Sequence, residues 1–151
     1  MARKPKELRI GATDYKITSL GAAVGAELWL DILHVVAGPI EALGSLGGFD
    51  DAAIARAVAA GVRSLDHPTM NKLYAAFGPV SKIRVTANGE DRWPTLEGAV
   101  FDEHFAGNYI ELTEWVGQSV YFNFFSFFGD GSLASLVERL QAMMPSTSST
   151  T

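Results

Sequence analysis

Six aromatic rings, Tyr121, Phe122, Phe124, Phe125, Phe127 and Phe128, fall within eight residues, interrupted only by Asn123 and Ser126. The pattern around them is helical from about Asn108 onward. At 3.6 residues per turn the rings cover nearly the whole circumference of that helix. A helix that is apolar all round must be covered on every side. A domain of 151 residues rarely surrounds one of its own helices completely. The block therefore reads either as a central core helix or as a helix partly covered by another chain. Aromatic side chains dominate such interfaces because each buries a large area with few rotatable bonds. The two readings overlap, since opposite faces can serve each purpose. Trp115 on the same helix joins Tyr121, Phe122, Phe124, Phe125 and Phe128 as the candidate partner-binding set.

At 48% hydrophobic the chain has enough apolar material for one real core, and its length suits a single domain over residues 1–144. The Ser/Thr stretch 146–151 lacks apolar residues, and the segment 145–151 is expected to be a disordered tail. Net charge is −5, and the only basic cluster is Arg3, Lys4 and Lys6, followed at once by Glu7. Phosphate neutralisation needs a basic surface, so no nucleic-acid partner is expected. The chain has no cysteine, which removes disulfides, thiolate nucleophiles and Cys-ligated zinc. No apolar signal-type segment follows the basic residues, and uninterrupted apolar runs fall short of the ~20 residues that cross a bilayer. Neither secretion nor a membrane partner is expected.

Period-two alternation at Leu8 and Ile10, then at Tyr15 and Ile17, flanks a Gly-containing turn and predicts a short hairpin. A helix begins after Ser19 or Leu20, with Trp29, Ile32, Leu33 and Val36 on one apolar face and Glu27, Asp31 and His34 opposite. Gly38-Pro39 should break or kink it. The glycines and alanines at 21–26 either admit another backbone closely or begin the helix loosely. Asp50 looks like the N-cap of a second helix with the stripe Ile54, Val58, Val62 and Leu65. Asp66 caps a third, which carries Pro68 in its first turn, buries Met70, Leu73, Tyr74 and Phe77, and ends at Gly78-Pro79. Ile83 and Val85 read as one strand, and Asn88-Gly89 as a hairpin turn leading through Arg92 and Trp93. The aromatic helix ends at Gly129-Asp130-Gly131, and a last helix carries Leu133, Leu136, Val137 and Leu140. The economical answer is a mainly α fold, a compact helical bundle with one or two small β-hairpins at its edges.

Catalytic chemistry has little support. There is no nucleophile elbow and no phosphate-cradling loop, so no nucleotide cofactor is expected. His34 and His67 read as surface or capping residues. His104 is the sharpest candidate, because Asp102 and Glu103 precede it directly. Consecutive residues point in different directions on a helix, so they do not converge on a metal. No metal or other cofactor is expected. The plainer reading is a hydrogen-bonding turn whose flanking Phe101 and Phe105 plug the core.

Phe101-Asp102-Glu103-His104-Phe105-Ala106-Gly107, a helix, and then Asn123-Phe124-Phe125 resemble the core pattern of tail assembly chaperones from long-tailed siphophages. In that pattern Phe101, Asp102, His104, Phe105 and Asn123 are the structural motif. Tyr15-Lys16-Ile17-Thr18-Ser19-Leu20 looks like the family's short strand before an alanine-rich helix, and Gly89 followed by Trp93 also fits. The likeness runs over residues 8–129. It implies a non-catalytic protein of the host bacterial cytoplasm. Such a protein coats the tape measure protein, keeps its apolar helices soluble and helps bring tail tube subunits to it. Self-association is expected with it.

Two other readings stand beside this one. A structural virion component, such as a tail-completion or head–tail connector protein, would form a ring and stay in the particle. A small enzyme would use His104 with Asp102 or Glu103.

Overall fold

The computed structural model describes residues 4–45, 51–125 and 142. Sequence features that fall elsewhere, among them Asp50, Phe127, Phe128, the Gly129-Asp130-Gly131 stop, the stripe Leu133 to Leu140 and the Ser/Thr tail, lie outside the described residues.

The chain opens with β1 (Lys6–Ile10) and β2 (Thr13–Ile17), paired antiparallel in the register Ile10↔Thr13. That register leaves a two-residue turn at Gly11-Ala12, and Gly11 takes the positive φ of 61° that its first position requires. β3 (Ser81–Ile83) pairs with the other side of β2, matching Tyr15 with Ile83 and Ile17 with Ser81. Tyr15, Ile17, Ser81 and Ile83 are all buried, so the predicted hairpin is one part of a three-stranded sheet whose inner face closes the core. Thr95 and Leu96 run back beside β3, with Leu96 N–H donating to the Ser81 carbonyl.

Around this sheet pack α1 (Ala22–Ser45), α2 (Asp51–Arg63), α3 (His67–Phe77), α4 (Ala99–Phe105) and α5 (Tyr109–Val120). The fold is mainly α with small antiparallel strands. α2 lies against both α1 and α5. Its stripe Ile54, Val58 and Val62 is buried as the helical spacing predicts, with Leu65 packed at its edge. Asp66 caps α3 by accepting from Thr69 N–H at 2.9 Å, and hydrogen bonding from Thr69, its side chain first and then its N–H, holds the Asp66 carboxyl below the usual range.

Three details differ from the sequence reading. First, α1 runs through Gly38-Pro39 to Ser45. Proline disfavours helix in the preceding residue because its ring presses on that residue's Cβ, and Gly38 has none. Gly61 of α2 lets Val35 and Val36 approach so closely that packing holds this stretch of helix in place. Second, Ile83 and Val85 belong to different sheets. Arg84 N–H donates to the Asp14 carbonyl and Ile83 N–H to Pro94, after which β4 (Val85–Ala87) leaves to pair with β5 (Glu90–Arg92). The β4–β5 turn is Asn88-Gly89, with φ of 54° and 78°, as a type I′ hairpin requires. Third, α1 over Ala22–Pro39 is long and apolar enough, by length and composition, to cross a membrane. Glu27 and Asp31 interrupt its apolar runs, but the mean hydropathy of the window still reaches 1.2.

Candidate partner-binding site

The rings expected to meet partners mostly face inward. Trp115 is fully buried, stacked within 5.4–6.5 Å of Phe77, Phe101 and Phe105, and its Nε1–H donates to Ser81 Oγ at 3.1 Å. After Val120 the helix widens into a π-helical turn, Tyr121–Phe125. An added residue per turn rotates the side chains beyond it, and such turns commonly mark functional sites. Within this turn Phe122, Phe124 and Phe125 are buried, and the last two pack on Trp29 of α1 at 5.5 and 5.9 Å. Tyr121 alone among the described rings of the block is half-exposed, with Lys6 Nζ 5.6 Å from its centroid. Phe128 lies outside the described residues.

Asn123 acts in the motif through two hydrogen bonds. Its Oδ1 accepts from Leu20 N–H at 2.8 Å, and its Nδ2 donates to the Ser119 carbonyl at 2.9 Å. It thereby ties the approach to α1 onto the end of α5. The same helix holds Ser119, whose buried Oγ has no hydrogen-bond partner among the described residues.

Phe101, Asp102, His104 and Phe105 all sit on α4. Phe101 rests on Tyr74, Phe105 and Trp115. Phe105 is buried, and Asp102 is exposed with its carbonyl closing the helix end through Ala106 N–H. His104 reaches neither Asp102 nor Glu103. Its Nε2 lies 2.8 Å from the Tyr15 hydroxyl, which donates to Glu111 Oε1 at 3.0 Å. A tyrosine has one proton, so His104 carries its own on Nε2 and donates to Tyr15. Asn108 Nδ2 completes the chain by donating to Glu111 Oε2. Burial lowers the His104 pKa, with Glu111 opposing the shift. Burial first, then the bond to Glu111, raises that of Tyr15. The arrangement joins β2, α4 and α5 through polar groups that are all paired. Sequence reasoning missed Tyr15 and Glu111 as partners. The available signal was Asn108-x-x-Glu111, the spacing of a helix-start polar pair. No three His, Asp or Glu side chains converge on a metal site among the described residues.

A groove of about 480 Å³ runs between α2 and α5. Its lining combines the small residues Ala55, Ala59 and Gly117 and the large Tyr109, Ile110 and Tyr121 with the polar Arg63, Thr113, Glu114 and Gln118. Gly117 packs so near α2 that an added Cβ would touch Ala59 Cα at 4.0 Å. Tyr109 is 68% exposed and Ile110 78%, although both are large and apolar.

A family model described as phage tail assembly chaperone protein, TAC, matches residues 11–135. The chain belongs to this family. No curated protein and no solved structure matches it. The matched span takes in every element from the turn after β1 to the π-helical turn, so the chaperone fold includes both the polar chain at Tyr15 and the α2–α5 groove. Family membership gives this chaperone protein partners in tail assembly.

Proposed function

We propose that this chaperone binds the tape measure protein in the infected host's cytoplasm, keeps its apolar helices soluble and helps bring tail tube subunits to it, without catalysis. Family membership supports the role, and the exposed pair Tyr109 and Ile110 on the wall of an open groove carries the reading of how it works. The described large rings of the aromatic block are largely committed to the core, so an apolar client meets α5 through the groove and Tyr121. Trp115, Phe122, Phe124 and Phe125 hold that helix in position from behind. Covering an exposed side chain the size of Ile110 contributes about 1.5–3 kcal/mol. One groove is thus a weak site, and several copies on one long client gain by avidity. Self-association fits that need.

Two measurements test this. Co-expression with the tape measure protein of the same gene cluster, followed by size-exclusion chromatography with light scattering, should give a soluble complex holding several copies per client. Mass spectrometry of purified virions should lack this chain. A chain that ignores the client and is found in the particle is a virion component instead.

A further inference from the structure

The hydropathy of α1 over Ala22–Pro39 reaches that of a membrane span, yet only 17% of the window is buried. Leu28, Ile32 and Val36 form its buried row. The opposite side carries Leu30, 71% exposed, with exposed Ala23, Ala26, Glu27, His34 and Gly38 around it. Asp31, at the flank, is already paired with Lys72 at 3.7 Å. Neither Glu27 nor His34 has an ion-pair or hydrogen-bond partner among the described residues. Among the described residues, a Cβ added at Gly38 would meet nothing within 4 Å.

We propose that this face is where two copies of the chain meet, α1 against α1 in antiparallel register about Leu30. The inference rests on the self-association proposed for the chaperone and names its surface. The register follows from matching the Glu27 carboxylate to the His34 imidazole. A two-fold axis beside Leu30 places residues whose numbers sum to about 61 opposite each other. Glu27 of each copy then faces His34 of the other, so a carboxylate accepts an imidazole N–H twice per dimer. The same operation sets Ala23 against Gly38, small against small, and lets the helix backbones approach while the two Leu30 side chains pack at the centre. A two-fold interface must be self-complementary in this way. A lipid surface suits the face less well, because Glu27 and His34 stand in the middle of it and would have to leave water. One helix pair is a small interface, so the dimer exchanges with monomer as concentration changes.

The chain has no cysteine, which permits a direct test on the whole protein without client. Leu30→Cys should crosslink to a disulfide dimer of twice the 16.2 kDa chain mass under mild oxidation. Val85→Cys, on the exposed β4 hairpin, should not. By sedimentation velocity the wild-type chain should show a concentration-dependent dimer, Glu27→Lys should lose it, and Glu27→Lys with His34→Glu should regain it. A wild-type chain that stays monomeric, equal crosslinking at both cysteines, or a double variant no better than the single one overturns the proposal. So does flotation of the chain with anionic vesicles through this face, shown by loss of flotation in Leu30→Asp. Because no client is present, failure here leaves the chaperone reading untouched.

Discussion

The Tyr15 hydroxyl donates to Glu111 at 3.0 Å across 96 positions of sequence, deep inside the fold. Removing that hydroxyl while keeping the ring leaves the Glu111 carboxylate and His104 short of a buried partner. Tyr15→Phe is expected to cost about 1–3 kcal/mol, the penalty of leaving a buried polar group unpaired. Urea unfolding followed by circular dichroism measures this, and an unchanged midpoint would mean the chain of hydrogen bonds contributes nothing.

The same residues set a pH window. The His104 pKa is lowered on folding, so between the folded and unfolded values the unfolded chain binds more protons, and stability falls as pH drops below about 6.5. The Tyr15 pKa is raised, so the folded chain holds its proton longer, and stability falls as pH rises above about 10. Melting temperature should therefore plateau between these limits. His104→Gln should flatten the acid side only.

Two glycines should respond with opposite signs. A Cβ at Gly61 would sit 2.6 Å from Val36 Cγ1 and 3.1 Å from the Val35 carbonyl, so Gly61→Ala pushes α1 and α2 apart and should cost about 1–3 kcal/mol. At Gly25, inside α1, the nearest atom is Leu20 Cβ at 3.9 Å. Gly25→Ala fits without strain and should add about 0.5–1 kcal/mol. Denaturant midpoints of the two variants, compared with wild type, decide both.

Asn123 bridges two segments with its two amide ends. Asn123→Ala should lose about 1–2 kcal/mol. Asn123→Asp keeps the acceptor for Leu20 N–H but sets a carboxylate against the Ser119 carbonyl, and should be no better than alanine at neutral pH. Thermal melts of both variants provide the comparison.

Much of this architecture was readable from the chain. Helical spacing located the buried rows Ile54, Val58, Val62 and Leu73, Phe77, because the apolar period holds there and, for α3, the Asp66 cap agrees with it. Asn88-Gly89 specified its turn for a local reason, the positive φ that both residues tolerate. Distant contacts set the features that sequence alone did not show. Gly38-Pro39 reads as a break or kink unless one knows that Gly61 seats Val35 and Val36 against α2. The aromatic block gave two readings, and three of its rings are buried in a π-helical turn that a fixed 3.6-residue period does not show. Tyr109 and Ile110 begin α5 as ordinary first-turn residues, and only the packing of α2 beside them makes them the wall of a groove.

The central claim is that the α2–α5 groove shields an apolar client. Its most direct test is the soluble fraction of the tape measure protein when co-expressed with wild-type chain, with Ile110→Asp, or with Val85→Asp as a surface control 40% exposed on β4. The account predicts that wild type and the control keep the client soluble and that Ile110→Asp, still folded by circular dichroism, leaves it in the pellet. A folded Ile110→Asp chain that holds the client in solution as well as wild type would contradict it.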